Sequence, residues 1–137
     1  MDHRQWAGEG NSHGVRSSLS TAQQRRYARH CVLPEIGETG QQTLLESSVL
    51  VIGAGGLGAA AVGLLAAMGI GRIGIMDADR VELSNLQRQT LYETGDIGRL
   101  KVEAAADRVE EINPECKVEV YPVRFEKSSH PTSAPHP

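Results

Sequence analysis

The chain has 137 residues, a formal net charge of −3, 23% charged residues and only 4% aromatics. One domain is the expectation for that length, and the charge balance gives no sign of a nucleic-acid-binding surface. No run of ~18 apolar residues offers a membrane span, and Cys31 and Cys116, far apart and in no CxxC pair, argue for neither a zinc site nor a disulfide framework.

Residues 1–19 lack the apolar centre of a signal peptide, and Asp2 and Glu9 count against a transit peptide. They are expected to form a disordered leader, and the protein to be cytoplasmic. The ordered domain is expected at residues 20–126. In "STAQQRRYARH", Ser20 with Gln23 three residues on reads as a capping box at a helix start. A second short helix is expected over 39–47. "SVLVIG" (48–53) is the unbroken aliphatic run of a strand buried on both faces. In the helix that follows, Leu57, Ala60, Ala61, Leu64, Leu65 and Met68 are spaced to draw one buried face, with Gly69 ending it. "RIGIMD" (72–77) is a second strand. After a long polar loop, 99–113 reads as a helix with Val102, Ala105, Ala106, Val109 and Ile112 on one side, stopped by Pro114. "KVEVYPV" (117–123) is a third strand. Residues 127–137, rich in Pro, Ser and His, are expected to be a disordered tail. This alternation predicts an α/β, Rossmann-like parallel sheet with right-handed crossover helices, truncated after about three strands.

The first chemical motif is "GAGGLG", in which Gly53, Gly55 and Gly58 satisfy G-x-G-x-x-G. It stands between a predicted strand and a predicted helix. Gly55 and Gly56 are best placed to let the backbone approach a phosphate, where the helix start offers free N–H donors and partial positive charge. Asp77 ends the second strand 19 residues after Gly58, where a carboxylate can accept hydrogen bonds from ribose hydroxyls. Asp79 either steadies its loop, meets a metal-bound nucleotide, or is solvated. These features suit NAD as well as ATP. The balance shifts with Arg88, Lys101 and Arg29. Cations gathered on one nucleotide serve phosphoryl or nucleotidyl transfer, where charge builds on the attacked phosphate, whereas hydride transfer makes no such demand.

"RYARHCVLPEIGETGQQTL", "VLVIGAGGLG", "GIGRIGIMDADRVELSNLQRQTLY" and "DIGRLKVEAAADRVEEINPE" also carry a family resemblance, in order and in register. Over about residues 20–125 the chain resembles the N-terminal part of the ubiquitin-activating-like adenylyltransferases, the MoeB/ThiF/HesA group. The resemblance implies an enzyme that uses ATP and Mg²⁺ to adenylate the C-terminal Gly-Gly of a small ubiquitin-fold sulfur carrier or modifier. It implies that Gly56 is the nucleotide-loop glycine and Asp77 the ribose acid. Ser84, Asn85, Leu86, Gln87 and Arg88 would form the nucleotide segment, with Asn85 and Arg88 near the phosphates. Lys101 would be the phosphate lysine, and Arg29 would reach into the neighbouring site of a homodimer. Arg88 and Lys101 are expected to be exposed phosphate contacts.

Relatives of this kind continue with an aspartate that helps hold magnesium, paired CxxC zinc ligands and a carrier-docking surface, so a truncated chain is expected, with no metal ligands of its own. Two alternatives stand beside the main reading. One is a non-catalytic nucleotide-binding or dimerisation fragment. The other is a NAD-dependent oxidoreductase, favoured only by the glycine motif and Asp77.

Overall fold

The computed structural model describes residues 19–126. The expected leader, Leu19 apart, and the expected tail lie outside the described residues. The capping box at Ser20 is present: its Oγ accepts from the Gln23 amide at 3.1 Å, and Gln23 Oε1 accepts from the Ser20 amide at 2.9 Å. The helix it starts is two short ones, α1 (Thr21–Arg26) and α2 (Ala28–Cys31), separated at Tyr27. Tertiary anchoring explains the break, because Tyr27 is buried and its hydroxyl accepts from Asn113 Nδ2 at 2.8 Å. The next helix, α3, runs Gly37–Leu45, starting two residues before the expected Thr39.

Three strands, β1 (Ser48–Ile52), β2 (Arg72–Met76) and β3 (Lys117–Tyr121), form one parallel sheet in the order β1-β2-β3. Helix α4 (Gly56–Met68) crosses from β1 to β2, and α5 (Lys101–Ile112) leads into β3. Register places Val49 beside Ile73 and Ile73 beside Val118, so these side chains share a face. That face packs against α4 and α5, which also pack on each other, and the core lies between. The expected α/β architecture with parallel strands is what the chain adopts.

Three details differ from expectation. First, β1 is an edge strand rather than one buried on both faces; Ile52 is 51% exposed, and full burial falls to the central β2, whose Ile73 and Ile75 are inaccessible. Second, the buried face of α4 is Ala59, Val62 and Ala66, while Leu57 is 92% and Leu64 65% exposed. The helix is apolar all round, so its spacing does not select a face, and the small side chains let it approach its neighbours closely. Third, β3 stops at Tyr121, because Pro122 has no N–H to carry the ladder further. The apolar side of α5 is as expected in Val102, Ala105 and Val109. Gly69 ends α4 in the left-handed region at φ 94°. Cys31 is partly buried and Cys116 buried, both reduced. Among the described residues, no helix is long and apolar enough to cross a membrane.

The N-terminal helices lock onto one end of this sheet. Gln41 Oε1 meets His30 Nδ1 at 2.8 Å and its Nε2 donates to Met68 O at 3.0 Å, while Asn113 Nδ2 reaches Ala66 O at 2.9 Å. The carboxyl ends of the parallel strands point the other way, and the chemistry-bearing loops gather there.

Candidate functional site

At the carboxyl end of β1 the chain turns through Gly53, φ 89°, into α4. The turn is tight because Gly58 lies against its start: a Cβ on Gly58 would sit 1.7 Å from Gly53 O. Gly55 is the N-cap of α4, and no side chain caps this helix start. Gly56 has open space where a side chain would stand. A 13-residue helix therefore presents its partial positive charge and uncapped N–H groups beside unobstructed glycine backbone, which is the arrangement that receives an anion.

Asp77 clasps this bend to the end of β2. Its Oδ2 accepts from Ala54 N at 2.7 Å and its Oδ1 from Asp79 N at 2.7 Å. Each carboxylate oxygen keeps a lone pair for a further donor, such as a ribose hydroxyl. The Asp79 carbonyl in turn accepts from Lys101 N at 2.9 Å, so the loop after β2 is tied to the first residue of α5. Among Asp79's three readings, its backbone steadies the loop; its side chain is exposed, 3.9 Å from Arg124. Ile52, Gly53, Met76, Asp77, Val123 and Phe125 help line a cleft of about 260 Å³ at this end of the sheet.

Lys101 lies at this end, but not as an exposed contact. It is only 6% exposed, and among the described residues its ammonium has no hydrogen-bond or ion-pair partner. A cation in the first turn also opposes the helix dipole. The stem is buried while the ammonium keeps contact with solvent, since it is not among the buried unpartnered atoms. Arg88 is exposed as expected, held loosely by Ser84 O at 3.5 Å. The segment before it is a 3₁₀ turn, Leu83–Asn85. Asn85 is buried, and its Oδ1 is used internally, accepting from Glu82 N at 3.0 Å. Leu86 packs against the core, while Ser84 and Gln87 face solvent.

Arg29 is not brought to the bend. It sits on α2, which packs against α1 and α3 at the Gly69 end of α4, ~20 Å along that helix from Gly56 by its rise per residue. Two residues beyond the expected set do reach the bend. Tyr92 donates its hydroxyl to Ala54 O at 2.5 Å, and burial drives its phenol pKa well up. Gln89, 3% exposed, places Nε2 3.7 Å from where a Cβ on Gly55 would stand. No sequence signal marked Tyr92, whose role is a tertiary bond to Ala54, and nothing in residue spacing distinguished Gln89 from its exposed neighbour Gln87.

A magnesium cage is not present: among the described residues no three His, Cys, Asp or Glu side chains converge, and both Asp77 oxygens already serve backbone amides. Among the described residues, a magnesium ion at this bend would draw most of its ligands from a nucleotide's phosphates.

Residues 27–134 match the ThiF family. A probable molybdopterin-synthase adenylyltransferase of Gracilaria tenuistipitata var. liui is 51% identical over 105 residues, which is 77% of this chain and 30% of that relative. A sulfur carrier protein adenylyltransferase of Thermus thermophilus is 50% identical over 100 residues, 73% of this chain and 37% of the relative. The chain thus spans well under half the length of these curated relatives. Among solved structures, the E. coli tRNA N6-threonylcarbamoyladenosine dehydratase TcdA in complex with ATP superposes with a TM-score of 0.73 at 34% identity, covering 79% of this chain and 44% of that one.

Proposed function

We propose a function from one premise: the chain belongs to the ThiF family. It supplies the ATP-binding part of an enzyme that adenylates the C-terminal Gly-Gly of a small ubiquitin-fold sulfur carrier or modifier. The observation that carries this reading is the uncapped start of α4, beside open glycine backbone and clasped by Asp77. The TcdA structure with ATP and the adenylyltransferase names of the relatives support it.

In this reading the α4 amides and the Lys101 ammonium receive the nucleotide's phosphates. Asp77 accepts from its ribose, and the exposed Arg88 closes over the phosphate chain. These fixed donors stabilise the charge that gathers as a carrier carboxylate oxygen bonds to the α-phosphorus. The bond from that phosphorus to the bridging oxygen breaks, and pyrophosphate leaves with the electron pair. Magnesium, carried on the phosphates, would add charge neutralisation. Arg29, remote from its own bend, acts only on the bend of a second copy, which makes the active form a homodimer.

The test is carrier-dependent exchange of pyrophosphate into ATP. Exchange by this chain with a Gly-Gly-ended carrier supports the reading, as does recovery of exchange when chains carrying Arg29→Ala are mixed with chains carrying Lys101→Met. ATP binding without exchange moves the assignment to a non-catalytic nucleotide-binding module. Stabilisation by NAD and not by ATP defeats both.

A further inference from the structure

Among the described residues, five polar or charged residues are buried: Gln41, Asn85, Gln89, Lys101 and Asn113. Gln41, Asn85 and Asn113 are accounted for by the fold. Both ends of the Gln41 amide are bonded, Asn113 reaches Tyr27, Ala66 and Glu115, and Asn85 caps its own turn. Gln89 and Lys101 are not accounted for, and both belong to the carboxyl end of the sheet. Gln89 Oε1 is the one buried side-chain polar atom among the described residues with no hydrogen-bond partner. Buried amides left in this condition are rare, because leaving one unpaired forfeits its hydration with nothing in return. The backbone at Gln89 is not loose: its amide donates to Asn85 O at 2.8 Å and its carbonyl accepts from Tyr92 N at 3.1 Å. Tyr92 in turn pins Ala54 O. A rigid frame therefore holds this amide against Gly55, with Nε2 toward the bend and Oε1 unpaired.

We infer that Gln89 is a phosphate-contacting residue, its amide completing the cradle formed by the α4 N-terminus and Lys101. An amide donor there lies beside the same open backbone that an oxyanion must approach, since Nε2 stands 3.7 Å from the side-chain position of Gly55. The group that can meet a phosphate oxygen is the Nε2–H donor, which faces Gly55; the orphaned Oε1 is an acceptor, and its lack of a partner shows only that the fold does not use this amide. This inference rests on the nucleotide reading above and adds a residue to it.

The test is thermal unfolding of the full chain, with titration of ATP and of adenosine, for wild type, Gln89→Met and Gln89→Glu. Gln89→Met removes both the Nε2 donor and the orphaned Oε1 at similar volume. It is expected to melt at or above the wild-type temperature without ligand, to bind ATP about tenfold more weakly, and to keep its affinity for adenosine. Gln89→Glu, nearly identical in shape, sets an anion against the phosphates and is expected to lose more ATP affinity still, again sparing adenosine. Two results overturn the assignment while leaving the nucleotide reading intact. One is wild-type ATP affinity in both variants. The other is a fall in ligand-free melting temperature with ATP and adenosine weakened in equal proportion, the mark of a structural role. A wild-type chain that neither ATP nor adenosine stabilises overturns the nucleotide reading itself, and the inference with it.

Discussion

A single side chain's burial decides how Lys101 should behave on substitution. An exposed phosphate lysine could be removed at no cost to folding; this one is 6% exposed and unpartnered. Lys101→Met keeps the buried stem and discards the ammonium at its tip. The ligand-free protein is expected to stay within about 0.5 kcal/mol of wild type, while stabilisation by ATP is lost. Urea denaturation with and without ATP checks both, and a less stable ligand-free variant would contradict the account. Gly58 shows the opposite sensitivity. A methyl group there would meet the Gly53 carbonyl at 1.7 Å, and both contacts are backbone. Gly58→Ala is expected to cost about 2 kcal/mol or more, seen as a lowered urea midpoint with unchanged slope. At this scale much of the geometry of the candidate site was legible. Gly55, Gly56 and Asp77 declare themselves by motif and by position after a strand. Gln89 and Tyr92 do not, because the Gly55 that Gln89 lies against and the Ala54 that Tyr92 bonds are more than thirty residues away in the chain.

Helix α4 separates pattern from packing. Its spacing pointed to Leu57 and Leu64 as the core side, but the fold buries Ala59, Val62 and Ala66 instead. In a helix with no polar face every stripe looks like a core stripe, and only the neighbours choose between them. The two faces should differ sharply when truncated. Val62→Ala is expected to cost about 2 kcal/mol through lost burial and a cavity. Leu57→Ala, at a residue 92% exposed, is expected to stay within about 0.5 kcal/mol of wild type. Chemical denaturation of the two variants side by side measures this, and the reverse ranking would restore the periodic face. Amphipathic α5 was read correctly in Val102, Ala105 and Val109 because its charged residues leave one choice. The split at Tyr27 was not legible, since it depends on Asn113 at the far end of the chain.

Across the whole molecule, alkaline pH probes the core. Burial raises the Cys116 thiol from its ordinary 9.0 to about 11. Between those values the unfolded chain has released a proton that the folded chain still holds. The unfolded state therefore binds fewer protons, and stability falls as pH rises through that interval. Burial also raises the Tyr27 and Tyr92 phenols, which extends the decline to higher pH. Cys116→Ala should flatten the first part of the slope in urea titrations at stepped pH; an unchanged slope would remove the thiol as its cause. The order of strands and crossovers was legible at this scale from the alternation of aliphatic runs and amphipathic stretches. The edge position of β1 was not, because a continuous apolar run does not say how many neighbours a strand will have.

Asp77 spends both its oxygens on backbone amides, one in each of two loops, before any ligand arrives. On the proposed function, the receptor for the nucleotide is thus already folded in the resting protein, and capture requires no prior rearrangement of those loops. In stopped-flow mixing, the observed rate of ATP association should climb in proportion to concentration without levelling off, the kinetic signature of simple encounter. A plateau would mean that the clasp must first open.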